Sequence, residues 1–408
     1  MLVEMHIIQN HSPANLNRDD LGAPKTAMFG GTLRARISSQ CIKRSIRRSS
    51  LFGESLEGCL GTRTVSFPEI VGEELKSSDI PEKDHSAIIA ACTGIATEKK
   101  GAEKKDRPGD DRPRTDQLIF LGAGEANQFV KILDQLRSSM AEDYRKFLKA
   151  PGKPDASKGP KGKKADEPGD KFWAALKEAF SHNSVDIALF GRMTTSRAFE
   201  DVEAAMQVAH AISTNQVVPE VDYFTAVDDV PGRAGAAYLE EGQFNSATFY
   251  KYFSLDWDSL VRNLHGKKDP KPQELNAAVD LAGKAFGAFI RAAACTVPSG
   301  KRNSFGNSNL PDAILIEVKQ RSIPTNYANA FLVPATCSSD AGGTHDMVAQ
   351  SIGMLDHYVA TVVKCYEIES KRWWFSTRDD REAPFSSAER VDTLSRLIGS
   401  ALKELGGR

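Results

Sequence analysis

Between Leu21 and Gly53 the chain carries seven cations, Lys25, Arg34, Arg36, Lys43, Arg44, Arg47 and Arg48, and no aspartate or glutamate. The segment constrains the fold because its apolar residues change period midway. From Thr32 to Ile37 they alternate, with Leu33, Ala35 and Ile37 on one side and Arg34 and Arg36 on the other, which predicts a half-buried strand. Ser38 or Ser39 then stands where a helix N-cap belongs. A helix running to about Ser50 would place Ile42 and Ile46 on one stripe and Lys43, Arg44, Arg47 and Arg48 on the opposite arc. A strand leading directly into an amphipathic helix buries the apolar residues and leaves the cations facing water.

The formal net charge of the 408-residue chain is only −1, so this positive charge is local, and local charge sets the field that a polyanion feels. At the start of the expected helix, free backbone N–H groups, the serine hydroxyls and the Gln40 amide are candidate phosphate ligands. A solvated helix face is the alternative. With no acids interspersed to relieve the repulsion, phosphate binding is the favoured reading.

Other function classes find little support. No apolar run approaches the ~20 residues needed to span a bilayer, and the acid and histidine of MLVEMHIIQN do not suit a signal peptide, so a cytoplasmic protein is expected. Cys41, Cys59, Cys92, Cys295, Cys337 and Cys365 are scattered without a C-x-x-C pair, and no histidines are paired at i,i+4, so no metal or cofactor is expected. His210, inside an apolar stretch, reads as a core residue. The Gly-Lys pairs lack the remainder of a P-loop.

Further along, Leu2–Gln9 predicts an opening strand, and a polar, helix-rich region runs from about Gly61 to His182. Its stretches 99–116 and 151–171 are dominated by Lys, Asp, Gly and Pro and cannot build a core, so mobile loops are expected there. Ser184–Met193 and Val202–Ser213 read as strands, the second with helical spacing as an alternative. Ala247–Leu255 has the clearest β pattern, Leu275–Ala294 reads as an amphipathic helix and Ala313–Val318 as a strand. Gln216–Asn245 is too long and turn-rich for a tight hairpin and should project from the sheet. Strands and helices around an insertion make the expected class α+β, an antiparallel sheet with helices on one face. On the projection, adjacent Tyr223 and Phe224 can stack on bases, or they can pin the hairpin to its own body or to a neighbour; the residues alone favour neither.

Several ordered blocks carry a family resemblance: Asn15-Leu-Asn-Arg-Asp-Asp20, Phe29-Gly-Gly31, Arg36-Ile-Ser-Ser-Gln40 with Lys43-Arg44, Asp186-Ile-Ala-Leu-Phe-Gly-Arg-Met193, Ala209-His-Ala-Ile212 and Asp222-Tyr-Phe-Thr-Ala-Val-Asp-Asp229. Together they touch most of the chain, and the chain resembles the backbone subunit of the type I-E CRISPR surveillance complex Cascade, the CasC family. The resemblance implies an RRM-like, ferredoxin-like palm over 1–60 and 184–408, helical fingers over 61–183 and a thumb hairpin over 216–245. Residue by residue, it implies that Ser38, Gln40, Lys43, Arg44 and Arg47 hold guide-RNA phosphates, with Lys25 a nearby basic contact. Met193 matches a residue packing on a displaced base, and Tyr223 and Phe224 match the thumb. Lys301 and Arg302, in Pro298-Ser-Gly-Lys-Arg-Asn-Ser-Phe305, match a second basic loop more loosely, and Arg18 matches the motif but can instead pair with Asp19 or Asp20.

The function so implied is non-catalytic. Copies would associate head to tail along one crRNA, beside other Cascade subunits, and present its bases for pairing with target DNA, with no membrane partner. The competing class is a metal-dependent endoribonuclease using Asp19 and Asp20, with His11 in the same stretch. A generic single-strand-binding protein would fit the charges and aromatics but leaves the ordered blocks unexplained.

Overall fold

The computed structural model describes residues 1–96, 112–149, 168–178, 184–194, 196, 198–227, 236–267, 269–337, 346–379 and 384–406. Most of both stretches expected to form mobile loops lies outside them. The chain divides into two compact units, one of residues 1–55, 206–258 and 279–408, the other of 56–205 and 259–278.

The first unit is built on a ten-stranded sheet. Its strands are β1 (Leu2–Ala14), β2 (Thr26–Phe29), β3 (Thr32–Ile37), β6 (Met206–Val208), β7 (Ala211–Ser213), β8 (Glu220–Val227), β9 (Ala236–Asp256), β10 (Ala313–Lys319), β11 (Lys371–Ser376) and β12 (Glu389–Arg390). The order across the sheet is β12-β11-β10-β1-β9-β7-β3-β2, with β6 and β8 also paired to β9. β1 is antiparallel to both neighbours, Leu2 opposite Asp256 and His11 opposite Ala247 on one side, Leu2 opposite Lys319 and Ile8 opposite Ala313 on the other.

Both faces of this centre are covered, which is why LVEMHIIQ lacks a clean alternation of apolar and polar residues. On one face Val3, Met5, Met206, Phe253 and Leu255 meet Phe286, Phe289 and Ile290 of α10 (Pro272–Cys295), with Phe253 and Phe289 edge to face at 5.3 Å. On the other, Ile8, Tyr250, Tyr252 and Leu315 pack with Tyr327, Phe331 and Ile352, Leu355 and Val359 of α12 (Met347–Cys365). Buried charge on this second face is paired. Glu4 accepts from Lys319 Nζ and Tyr252 Oη, and Glu317 accepts from Arg372 Nε at 2.5 Å and Tyr327 Oη at 3.0 Å. Burial alone would raise the Glu317 carboxyl, but His6, Lys319 and Arg372 outweigh it and bring it down to about 2.

The second unit is mainly helical. α3 (Phe67–Leu75), α4 (Glu82–Thr93), α5 (Glu125–Ser139), α6 (Ala141–Lys149) and α7 (Asp170–Glu178) share a core in which Phe67, Phe129, Phe147, Phe172 and Phe199 are almost wholly buried. A two-stranded ribbon, β4 (Thr62–Thr64) with β5 (Ile119–Leu121), stands beside α8 (Val185–Phe190). Here the sequence expectation of a strand over 184–193 is overturned. All six residues of α8 are buried, and a continuous apolar run carries no period to tell helix from strand. Asp186, in its first turn, accepts from Gly61 N at 2.7 Å and Ser184 Oγ at 2.7 Å.

Three further expectations are corrected. Val202–Ser213 resolves into an isolated bridge at Val202 and two three-residue strands, with His210 between the strands and exposed; its Nδ1 lies 3.2 Å from Arg36 Nη1 rather than in a core. The basic helix, α1 (Ser39–Arg47), stops short of Ser50, where a separate helix α2 (Ser50–Ser55) begins and buries Phe52. Arg34 does not face water with Arg36. It is fully buried, its guanidinium donating to the carbonyls of Ser213 (2.9 Å), Thr214 (2.8 Å) and Phe331 (2.7 Å), because the segment at Phe331–Leu332 covers that side of β3.

His11 is also inside, near the end of β1, with neither ring nitrogen hydrogen-bonded; burial, aided by the charge of Lys251, pushes its pKa down to about 3. The unfolded chain therefore binds a proton here that the fold excludes. Stability is whole above about pH 6.5 and falls as the pH drops below it, by about 2 kcal/mol at about pH 5. Urea midpoints of the wild type should fall between pH 7 and pH 5, and His11→Leu should remove most of that dependence. The Glu317 contribution is lost only below about pH 4.5, outside this window.

Candidate nucleic-acid interface

The polypeptide leaves β1 at Ala14 and returns as β2 and β3 before entering α1. Two asparagines fix the intervening loop. Asn17 Oδ1 accepts from Ser38 N at 2.8 Å and Asn17 O from Lys25 N at 2.8 Å, while Lys25 O accepts from Arg36 N at 2.9 Å. Ser38 is the N-cap of α1, with an extended backbone and its Oγ accepting from Cys41 N at 3.4 Å. Ile42 and Ile46 anchor the helix, Gln40, Arg44 and Arg48 are exposed, and Lys43, Arg47 and Lys25 are half-buried. No acid occupies the first turn to offset the positive end of the helix dipole, while Arg44 and Arg47 stand in the last turn, over its negative end. Lys25, Ser38, Gln40, Lys43, Arg44 and Arg47 thus belong to one continuous support.

Asn15, fully buried, joins three segments. Its Nδ2 donates to Gly22 O at 2.9 Å in its own loop and to Gln243 O at 2.9 Å at the base of the β8–β9 hairpin. The third segment arrives at Gly300, where a Cβ would stand 2.4 Å from Asn15 O and 2.6 Å from Leu16 O; only glycine permits that approach. Lys301 follows with φ 43°, and α11 (Arg302–Phe305) places Phe305 5.8 Å from the Phe244 ring. Arg302 is exposed and donates to Ser308 Oγ at 3.1 Å. The basic loop and the hairpin are therefore tied to the same asparagine.

In the hairpin, Tyr223 lies opposite Glu241 and Phe224 opposite Glu240. Neighbours along a strand point to opposite faces, so the two rings serve different sides of the ribbon. Tyr223 is 62% exposed, with exposed Val221 and Leu239 nearby, and a hydrogen bond to Glu241 raises its phenol pKa. On the other side, the Phe224 ring and Lys301 Nζ both lie close to Gly242.

Met193 sits in the second unit and is 95% exposed. The sequence Gly191-Arg192-Met193 presents it by division of labour. Gly191 ends α8 at φ +79°, where a Cβ would press on Val202 O at 2.9 Å; Arg192 is buried and pairs with Glu125 at 2.8 Å; Met193 is left outside. It borders a cleft of about 470 Å³ also lined by Arg63, Leu118 and Phe120, the Arg63 guanidinium lying 4.7 Å from the Phe120 centroid.

The carboxylates of the competing nuclease reading are partly engaged. Asp19 Oδ1 accepts from Leu21 N and Ala23 N, both at 2.9 Å, as an Asx-type turn; Asp20 is exposed, and His11 is buried away from solvent. Among the described residues no group of three or more His, Cys, Asp or Glu is placed to hold a metal ion, and no helix is long and apolar enough to cross a membrane. The reading of the sequence missed Asn15 and Asn17 as organisers. Both lie in a quoted block, but their role depends on partners as distant as Gln243.

The model of the family described as CT1975-like protein (Cas_CT1975) matches residues 3–400. No curated protein matches the sequence. Among solved structures, the chain is similar to one titled "CRISPR RNA-guided surveillance complex, pre-nicking", with 28% identity, a TM-score of 0.74 and coverage of 99% of this chain and 100% of that one. A second, titled "CRISPR RNA-guided surveillance complex", has 23% identity, a TM-score of 0.65 and the same coverage, and shows likeness of fold. The resemblance carried by the ordered motifs is thus matched over nearly the whole length, and the chain belongs to the CT1975-like family.

Proposed function

We propose that this chain is the non-catalytic, guide-RNA-binding backbone subunit of a type I-E CRISPR surveillance complex. The observation that carries this reading is α1: a helix anchored by two isoleucines, capped by Ser38 and held by Asn17, with its cations on the outer arc. Such a surface recognises a phosphate backbone by charge and geometry without reading bases. Sequence reading is then left to the bases of the RNA, which pair with target DNA. In this reading the sheet unit acts as palm, the helical unit as fingers and the β8–β9 hairpin as thumb. Copies associate head to tail along the RNA in the cytoplasm, beside the other subunits. Tyr223 and Phe224 act from the thumb by stacking on bases, Met193 packs on a displaced base, and Lys301 and Arg302 add a second backbone contact.

Co-expression with a repeat–spacer RNA and the partner subunits tests the reading. Guide-length RNA should copurify in a large particle with the wild type and be lost with Lys43→Glu/Arg47→Glu, while the circular-dichroism spectrum of the protein stays unchanged. For single-stranded RNA, losing two phosphate contacts should reduce the slope of log affinity against log salt by about 1.4. RNA length in Mg²⁺ should be the same with Asp19→Ala/Asp20→Ala; shortened RNA whose production depends on those two residues would make the protein a nuclease.

The hairpin aromatics should behave differently from the cations. Tyr223→Ala and Phe224→Ala should each weaken RNA binding by about 1–3 kcal/mol while leaving the salt slope unchanged, because stacking releases no counterions. Equilibrium titrations at two salt concentrations separate the two effects.

A further inference from the structure

β9 carries one more cation, and it is inside the protein. Lys251 is opposite Ile7 of β1 and only 3% exposed. Its ammonium donates to Gln9 Oε1, and Gln9 Nε2 donates onward to Asn309 O at 2.6 Å. Among the described residues, the titratable groups coupled to it by charge are the Cys41 thiol, in the first turn of α1, and His11 on β1, and neither is a carboxylate; Cys41 in turn lies in the fields of Lys25 and Arg44. An ammonium held in the interior by one amide is poorly compensated, and the same face of β9 continues with Phe249 and Phe253, so packing does not call for a lysine here.

We propose that Lys251 is a buried cationic component of the nucleic-acid interface: a backbone phosphate docking on the first turn of α1 draws a proton from solvent onto its amine, so that binding and protonation are coupled. The inference rests on the reading of α1 as a phosphate-binding surface. Burial pushes Lys251 down to about 8, so part of the population is neutral in mildly alkaline solution. An anion held above α1 favours the charged form, and an interior charge is screened far less than a surface one. The complex then binds more protons than the free protein, and affinity must fall as the pH rises through the pKa of the free protein. Burial raises the Cys41 thiol above its ordinary range and holds His11 neutral, which leaves Lys251 as the member of this cluster that titrates in the window.

The test is the affinity of the full-length protein for a fluorescent oligoadenylate at constant ionic strength, from about pH 6.5 to about pH 9. Adenine does not ionise in that range. Wild-type affinity should be level below about pH 7.5 and then fall severalfold, approaching tenfold, by about pH 9. Lys251→Arg should bind as the wild type does at the low end and lose the fall, because a guanidinium stays charged. Lys251→Met should bind more weakly at the low end, with a flat profile. Cys41→Ser should keep the wild-type profile.

A flat wild-type profile would overturn the proposal, as would an unchanged fall in both Lys251 variants or a fall abolished by Cys41→Ser. Lys43→Glu/Arg47→Glu separates the two levels of argument. If it binds the oligonucleotide as the wild type does, the reading of α1 itself fails; if it loses binding while the wild-type profile is flat, only Lys251 is misassigned.

Discussion

The pairing of β1 with β9 is the constraint on which the rest depends. It runs from Leu2 opposite Asp256 to Ala14 opposite Asn245, with a register shift between His11 and Ala14. Within the sheet this pairing sets which side chains reach α10 and which reach α12. Beyond the sheet the same two strands diverge, β1 into the Asn15–Asn17 loop that holds α1, β9 into the hairpin that carries the aromatics. Packing a core and positioning an interface are therefore one event, since a slip of one residue would exchange the two faces and move both structures together.

Charge is sorted by the same framework. Glu4, Glu317 and Lys319 are buried on one face and paired with one another and with the partly buried Arg372, which removes them from the long-range field. Arg34 and Lys251 are buried without a carboxylate, Arg34 among carbonyl oxygens and Lys251 beside an amide. Both cations are met by neutral oxygens rather than by an acid. Beside the acid-free run from Leu21 to Gly53, they show how a chain of nearly neutral formal charge distributes its charge unevenly.

The transition from β3 to α1 was legible in the sequence because Leu33, Ala35 and Ile37 keep a period of two whereas Ile42 and Ile46 keep one near four. Strands β1, β9 and β10 and helix α10 were legible for the same reason or from continuous apolar runs. α8 was not, since a segment buried all round shows no period. The burial of Arg34 was not legible either: local alternation places it on the outer side, and that side is closed by the segment at Phe331–Leu332, 297 and 298 positions away. Ser38 to Arg47 and Gly191 to Met193 could be singled out as candidates because they lie in recognisable motifs. Asn15 and Asn17 act through hydrogen bonds spanning up to 228 positions in the sequence, which no local pattern encodes.

The ten-stranded sheet ends in β2, of four residues, and β12, of two. Edges this short offer few unpaired backbone groups for another strand to join, a common defence against sheet-to-sheet aggregation. In the proposed head-to-tail association, intended contacts must be kept apart from accidental ones. The long unpaired edge is instead that of β8 in the hairpin, which pairs only with β9, so strand addition is directed away from the two ends of the sheet and toward the element that carries Tyr223 and Phe224.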